Sequence, residues 1–266
     1  MLSDKKLETI SKLVRYNIIK QTYLKKSGHL GGALSCTDIL VNIFNNYLFG
    51  DKDNKFVLSK GHCALAVYSV LYQAKKLSKK KFESFSNQGS FFGEHPSPKI
   101  NNKYLSFSTG SLGHGMSFGS GMAYSKKLKK NKGNIFILVS DGEMNSGTVW
   151  ESALLSSKLN LNNLIVIVDY NKFQATGKSD EILNIKPLSK KWKSFGWDVI
   201  ECNGNNHVSI NSSFKLILKN KNKPKIIIAH TIKGKGVSFM ENDNNWHYRS
   251  PSKSELKQAK IQLKIK

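Results

Sequence analysis

Two side chains that can bind a metal ion follow two neighbouring apolar segments of this chain. Asp141 comes directly after NIFILVS, and Asn171 closes the apolar run of LIVIVDYNK, with a helical pattern in TVWESALLSSKLN between them. Strand, helix and strand predict a βαβ crossover, which brings both residues to one edge of a parallel sheet. A carboxylate and an amide oxygen there suit Mg²⁺ or Ca²⁺ beside ligand phosphates. An Asp-Gly pair alone is usually only a turn, and Asn171 makes a binding site the better interpretation.

The turn after Asp141 also suits an anion. Gly142 allows close approach of the backbone, and the helix after Ser146 offers free N–H groups and the positive end of its dipole. Other predicted strands end in comparable segments, since Lys60-Gly61-His62 follows FVLS and the glycine-rich TIKGKG follows KPKIIIAH. Ligands of open parallel sheets bind beyond the carboxyl ends of the strands. The sequence therefore predicts one polar site that can hold a diphosphate with its metal ion.

The elements that position this site are predicted from periodicity. Helical spacing extends over four further segments. These are Leu2 to Leu24, Thr37 to Tyr47, Ala64 to Leu77 and His207 to Leu218. SGHLGG should end the first helix, Ser35 or Thr37 should cap the second, and WDVIEC and KPKIIIAH should be buried strands. We predict a three-layer α/β/α fold with a mainly parallel sheet, as one domain over residues 1–266. The Lys-rich tail 252–266 has helical spacing but little to bury.

Lysine dominates the charge of the chain. Lys and Arg number 42 against 18 Asp and Glu, a formal charge of +24. Nucleic-acid binding is one interpretation, but the lysines alternate with Asn in stretches such as KKLKKNKGN and lack the Arg and aromatic residues typical of base readers. We prefer a solvated surface that can also steer anionic sugar phosphates. The sequence shows neither an apolar run of membrane-spanning length nor a signal peptide, so we expect a cytoplasmic protein that binds no membrane.

The same strand ends resemble those of a known enzyme family. SDGEMNSGTVWES followed by VDYNKFQATG is similar to the thiamine diphosphate motif of transketolases, which usually reads Gly-Asp-Gly, a spacer and an Asn. Further segments resemble transketolases in the family's order. They are SGHLGGALSCTDIL, FVLSKGHCALAVYSVL, GEHPSP, STGSLGHGMSFGSGMA and HTIKGKGVSFMENDNNWHYRSP. The resemblance covers essentially the whole chain and implies a thiamine diphosphate-binding fold of the pyrophosphate-binding type.

The resemblance implies roles for single residues around the diphosphate. Asp141, the side chain of Asn171 and the backbone oxygen of Phe173 match the ligands of Mg²⁺ or Ca²⁺. Gly142 matches the adjoining phosphate contact, and Glu143 in the same turn is assigned to the cofactor site with it.

Four histidines match catalytic positions. His62 and His247 match histidines that reach the diphosphate and the reacting carbon, and His29 and His95 match those that handle substrate hydroxyls and the carbonyl. Histidine titrates near neutrality and suits proton transfer on sugars. One loop matches the segment that carries the aminopyrimidine ring of the cofactor. It consists of Gly110, Ser111 and Leu112.

Some positions depart from the family pattern. Ser140 replaces the first Gly of the motif, and Ser146 stands where a Glu of an acidic network between two active sites is usual, although Glu151 is present. His114 replaces a common Gln, and Tyr248 stands where Gly is more usual. These departures put coupling between sites and the choice of sugar in doubt.

The resemblance also implies a second polypeptide. Transketolases need a glutamate opposite the cofactor's pyrimidine, and this glutamate lies in a later domain that the present sequence lacks. We expect a separate C-terminal subunit with the pyrimidine-binding and C-terminal domains, an α₂β₂ assembly, and transfer of a two-carbon ketol unit from a ketose, as its phosphate, to an aldose. Three alternatives are a 1-deoxyxylulose-phosphate-type synthase, a transferase of specialised or nucleotide-linked sugars, and a non-catalytic binding subunit.

Overall fold

The computed structural model describes residues 1–100, 102–105 and 107–265, and within them five strands form one parallel sheet. The strands are β1 (Lys55–Leu58), β2 (Ile135–Ser140), β3 (Leu164–Tyr170), β4 (Asp198–Asn203) and β5 (Lys225–His230). Their order across the sheet is β1-β2-β3-β5-β4. β2 pairs directly with β3, with Leu138 opposite Ile167, which confirms the predicted βαβ crossover.

Helices cover both faces of the sheet. The α-helices are α1 (Asp4–Lys25), α2 (Leu30–Ser35), α3 (Thr37–Ile43), α4 (Ala64–Gln73), α5 (Lys79–Glu83), α6 (His114–Leu128), α7 (Gly147–Lys158), α8 (Ser179–Ile182), α9 (Leu188–Ser194), α10 (His207–Ile217) and α11 (Lys253–Gln262). Successive strand side chains alternate between two apolar clusters, one with residues of α1, α3, α4 and α10 and one with residues of α6, α7 and α9. The predicted three-layer α/β/α fold is confirmed.

The prediction that WDVIEC is a buried strand is wrong. β4 lies at the edge of the sheet because β5 inserts between β3 and β4, and most of its residues are partly or fully exposed. By contrast, every residue of β2 and β3 is buried. Apolar content alone does not reveal which strand ends at the edge.

The segment between α1 and α3 also differs from expectation. The glycines of SGHLGG lie inside the short helix α2, and a Cβ on Gly32 would approach Cys63 Sγ to 3.3 Å, so glycine permits close packing there. The residue before α3 is Cys36, and neither predicted cap acts as one. Instead, Thr37 Oγ1 donates to Ala33 O at 2.9 Å, and Ser35 Oγ donates to Asp169 at 2.6 Å.

The Lys-rich tail is more firmly docked than expected. α11 begins with a capping box between Ser252 and Glu255, and it buries Ala259 and Leu263 in the core beside α1. Lys266, the last residue of the predicted tail, lies outside the described residues. Within those residues, none of the helices combines the length and apolar character that crossing a membrane requires.

A buried ion pair joins α1 to α3. The two terminal nitrogens of Arg15 donate to the two carboxylate oxygens of Asp38 at 2.9 and 2.7 Å, and Asn205 donates to Asp38 at 3.0 Å. Burial opposes ionisation of Asp38, but the Arg15 charge outweighs it and lowers the pKa of that carboxyl. His207, at the start of α10, lies 3.6 Å from the same carboxylate. Three helices therefore meet at one carboxylate.

We expect Arg15→Met to lower the free energy of unfolding by about 3–5 kcal/mol, because it leaves the Asp38 charge buried without a partner. Lys12→Met is the matched control on the same helix, since Lys12 pairs with exposed Glu8 and its loss should cost less than about 1 kcal/mol. Urea denaturation of both variants at pH 7 measures the difference. Equal losses would contradict the proposed importance of the buried pair.

Candidate functional site

A cleft of about 370 Å³ opens at the carboxyl edge of the sheet. The segments that follow β1, β2, β3 and β5 all contribute to it, as predicted from the strand ends. Its lining consists of His29, Gly32, Lys60, His62, His95, Ser111, Ser140, Gly142, Asn171, Phe173, Gln174, Ala175, Lys233, His247 and Tyr248. Residues that are distant in sequence therefore meet in one polar cavity.

The four histidines singled out in the sequence lie together in this cleft. The ring of His29 is central, with centroids 5.4 Å from His62, 5.7 Å from His95 and 5.2 Å from His247. His62 Nδ1 lies 3.0 Å from Ser111 Oγ. Burial, followed by the nearby His62, lowers the pKa of both His29 and His95. These two rings are thus neutral at pH 7 and can both donate and accept hydrogen bonds.

Asp141 is fully buried at the end of β2. Its Oδ1 accepts from the Gly142 N–H at 2.9 Å, and its Oδ2 accepts from the Lys172 N–H at 2.7 Å and the Ser179 hydroxyl at 3.1 Å. Burial and the nearby charge of Asp169 raise the pKa of Asp141 to about 7. A cation bound beside this carboxylate would offset the cost of its buried charge.

Asn171 approaches the same loop from β3. Its Nδ2 faces Ser35 Oγ at 3.2 Å and Asp169 Oδ2 at 3.4 Å, while its Oδ1 accepts from the Phe173 N–H at 3.0 Å. Asp141 and Asn171 therefore converge on consecutive backbone amides, those of Lys172 and Phe173.

The oxygens of Asp141, Asn171 and Phe173 fit a hard cation, which binds carboxylate, amide and backbone oxygens. Within the described parts of the chain, the structure contains no group of three His, Cys, Asp or Glu residues that could hold a metal ion by themselves. A cation at this place would thus need further oxygens from a ligand. Magnesium is commonly held in this way, by few protein groups and substrate phosphates.

Sequence reasoning missed a buried ion pair below the cleft. The Lys60 ammonium contacts Asp169 in β3, and both side chains are fully buried. Burial alone would lower the pKa of Lys60, but the charge of Asp169 raises it well above its usual value. Asp169 also accepts from the hydroxyls of Ser35 and Thr231. The available signal was one charged residue inside the otherwise apolar run LIVIVDY.

Lys233 and Glu94 were also missed. Lys233 Nζ lies 3.1 Å from His247 Nδ1. Burial, Lys233 and His62 lower the pKa of His247 to about 3, and burial and Lys60 lower that of Lys233 to about 8. Glu94 Oε2 lies 3.3 Å from His29 Nδ1, although the two atoms lack hydrogen-bond geometry.

The assignment of Glu143 to the cofactor site is not supported by its position. The side chain is fully buried and does not line the cleft. Its carboxylate accepts from the Ser59 hydroxyl at 2.5 Å, the Gly113 N–H at 3.1 Å and the Ser140 N–H at 2.7 Å. Glu143 thus ties three loops together from below, a role that the spacing of the turn did not indicate.

The predicted ring-carrying loop contributes one residue to the cleft. Ser111 lines it, whereas Gly110 does not, and Leu112 is 63% exposed outside it. Tyr248 stands at the mouth, with its ring centroid 4.5 Å from that of His247 and 5.6 Å from that of His29. His114 starts α6 and is exposed away from the cleft lining.

Two further departures have simple structural outcomes. Ser140 ends β2 normally, and its hydroxyl donates to Glu143 Oε2 at 3.0 Å. Ser146 precedes α7 without a side-chain cap bond, and Glu151 is exposed on the same helix.

The fold and the cleft define an α/β protein whose sheet edge is suited to a phosphorylated ligand with a cation. Residues 5–266 match the family described as "Transketolase, thiamine diphosphate binding domain", and the chain belongs to this family.

Relatives of similar length are named as components of transketolases. The chain is 34% identical to one component of the apulose-4-phosphate transketolase of Phocaeicola vulgatus, over 95% of this chain and 92% of that protein. It is 35% identical to the protein of the same name from Actinobacillus succinogenes, over 99% and 98%. It is 32% identical to the 6-deoxy-6-sulfo-D-fructose transketolase subunit SqwG of Clostridium sp., over 85% and 86%.

Solved transketolases share the fold. The Campylobacter jejuni enzyme superposes with a TM-score of 0.87 at 24% identity, covering 99% of this chain. The present chain spans only 43% of that enzyme's length. The likeness shows that the chain has the architecture of one part of a longer enzyme.

We expect Gly61→Ala to destabilise the chain by about 1–3 kcal/mol, since its Cβ would lie 2.0 Å from Thr109 O and force the His62 loop away. Gly110→Ala is the matched control, because Gly110 accepts the Gly61 N–H bond but has open space around its own Cβ position. Its effect should stay within about 0.5 kcal/mol. Urea denaturation measures both, and similar losses for the two variants would contradict the proposed close contact.

Proposed function

We propose that this chain is the thiamine diphosphate-binding subunit of a two-chain transketolase that transfers a two-carbon ketol unit from a ketose to an aldose. The observation that carries the proposal is the convergence of four histidines in one cleft whose base is formed by Asp141 and Asn171. Membership of the transketolase family and the names of its relatives support the same interpretation.

In this proposal Asp141, Asn171 and the backbone oxygen of Phe173 hold Mg²⁺, or Ca²⁺, against the diphosphate of the cofactor. Gly142 lines the cleft next to Asp141 and offers its backbone to a phosphate oxygen. The bound cofactor supplies a carbon that can accept and release negative charge, and the protein orients the reactants and moves protons.

The histidines act on the sugar and on the diphosphate. His29 and His95 are neutral at pH 7 because their pKa values are lowered, so each can donate to a carbonyl oxygen or accept from a hydroxyl. Such groups can take the proton of a sugar hydroxyl as a carbon–carbon bond breaks and return it to the other product. His62 and His247, on the same side of the central His29, are placed for the diphosphate and the reacting carbon.

A separate C-terminal subunit, with the pyrimidine-binding and C-terminal domains, completes the site in this proposal. Relatives that match this chain over nearly their whole length are named as subunits, whereas the solved transketolases continue far beyond the matched part. Leu112, beside the cleft, exposes apolar surface that such a partner would cover. We infer a cytoplasmic α₂β₂ assembly with the cofactor at the interface.

The donor sugar is proposed to carry an anionic group. Two relatives are named for apulose 4-phosphate and a third for 6-deoxy-6-sulfo-D-fructose, so phosphate and sulfonate occur among the named substrates of the family. The formal charge of +24 favours the approach of such sugars over neutral ones.

We expect Asp141→Ala to abolish magnesium-dependent uptake of thiamine diphosphate, because it removes the carboxylate from the cation site. Calorimetry of the chain together with its partner subunit, with and without Mg²⁺, measures this. Asp53→Ala is the control, since Asp53 precedes β1 at the opposite edge of the sheet and should leave uptake unchanged. Normal magnesium-dependent uptake by folded Asp141→Ala would remove the metal assignment.

We expect the chain to transfer ketol units only when it is mixed with the C-terminal subunit, thiamine diphosphate and Mg²⁺. The assay supplies a panel of phosphorylated and sulfonated ketoses with an aldose acceptor and follows the new ketose by mass spectrometry. Each of the two polypeptides by itself is the control and should be inactive. Pyruvate consumption with release of carbon dioxide would favour the synthase alternative, and no reaction across the panel would contradict the proposal.

A further inference from the structure

Lys233 controls the surroundings of one nitrogen of His247. It is the third residue after β5, and its side chain is 1% exposed at the base of the cleft. Its Nζ lies 3.1 Å from the Gln174 carbonyl oxygen and 3.1 Å from His247 Nδ1, and it also contacts Asn244 Oδ1. Gly31 permits this burial, since a Cβ there would approach Lys233 Cγ to 3.1 Å.

The partners of Lys233 can be assigned as hydrogen-bond acceptors. A backbone carbonyl only accepts, and the Asn244 amide is oriented because its Nδ2 donates to Ala175 O at 3.1 Å, which leaves Oδ1 towards Lys233. An ammonium has three protons and no lone pair. Two protons go to Gln174 and Asn244, and the third points at His247 Nδ1. That nitrogen must then carry a lone pair, so the ring proton is on Nε2.

The pair has one alternative, in which a neutral Lys233 amine accepts a proton from His247 Nδ1. Burial and Lys60 lower the pKa of Lys233 only to about 8, whereas burial and Lys233 lower the pKa of His247 to about 3. At pH 7 the shared proton therefore remains on Lys233. The other groups around the ring are His62, with centroids 5.9 Å apart, His29 at 5.2 Å and Tyr248 at 4.5 Å.

We propose that Lys233 is a positioning residue that holds His247 as a neutral imidazole protonated on Nε2 and presents it to the cleft as a hydrogen-bond donor. This inference rests on the proposed function for its catalytic meaning. His247 would give an N–H to an oxygen of the diphosphate or substrate and would not act there as a base or a cation. The other three histidines remain available for accepting protons.

The protonation state can be measured directly on the full-length chain. Chain labelled with ¹⁵N-histidine is studied at pH 7 by long-range proton–nitrogen correlation, and His247→Gln identifies the His247 signals. We expect the proton on Nε2, an unprotonated Nδ1 with the shift of a hydrogen-bonded acceptor, and no ring protonation down to pH 5. A proton on Nδ1, or a cationic ring at pH 7, would overturn the proposal without any variant of Lys233.

Variants of Lys233 test the cause. Lys233→Met keeps the length of the side chain but removes the charge and the three donors, so the midpoint for His247 protonation should rise by at least about one pH unit, tenfold in the proton affinity. Lys233→Arg should restore the wild-type spectrum. Lys235→Met is the control, because Lys235 pairs with Glu241 at 3.1 Å in the same loop.

An unchanged His247 spectrum in folded Lys233→Met would also overturn the proposal. The measurement needs neither cofactor nor partner subunit, so its failure is distinct from a failure of the ketol-transfer assay. If transfer fails while His247 behaves as described, the positioning by Lys233 stands and only its catalytic meaning is lost.

Discussion

One buried carboxylate holds the carboxyl edge of the sheet together. Asp169 in β3 is fully buried and accepts from Lys60 after β1, Ser35 in α2 and Thr231 after β5, besides the amide of Asn171. A buried charge is tolerated when it is paired and its lone pairs are satisfied. Because these donors come from separate segments, the loops after β1 and β5 are fixed relative to β3. The cleft is therefore preorganised by an interaction that lies beneath it.

The orientation of Asn171 follows from the same carboxylate. Asp169 and Ser35 face the amide nitrogen of Asn171, so its oxygen is directed towards the Phe173 loop where Asp141 also arrives. Glu143 performs a comparable task between Ser59, Gly113 and Ser140. Side chains that face the ligand are thus positioned by acidic groups that do not face it, as is common for sites whose geometry must be exact to fractions of an ångström.

The central part of this arrangement could be predicted from sequence, because the βαβ unit around Asp141 and Asn171 has strands that are buried on both faces and a short connection. The same reasoning failed for β4, whose apolar residues say nothing about β5 inserting beside β3. It also failed for Ser35, which local rules treat as a helix cap but which bonds to Asp169, 134 residues away. Local patterns report periodicity, whereas the order of strands and partners of buried polar groups depend on long-range packing.

The charges of the cleft are separated in space, and this separation has a physical reason. Two buried lysines, Lys60 and Lys233, lie at its base, while His29, His95 and His247 have lowered pKa values and stay neutral. Rings with centroids less than 6 Å apart would repel one another if they were protonated, so their neutrality lets them crowd around His29. Cationic charge is then confined to the end of the cleft where an anionic group would be bound, and the opposite end presents neutral donors and acceptors that match the hydroxyls of a sugar. Burial alone produces this division, because it disfavours every charge that lacks a partner such as Asp169.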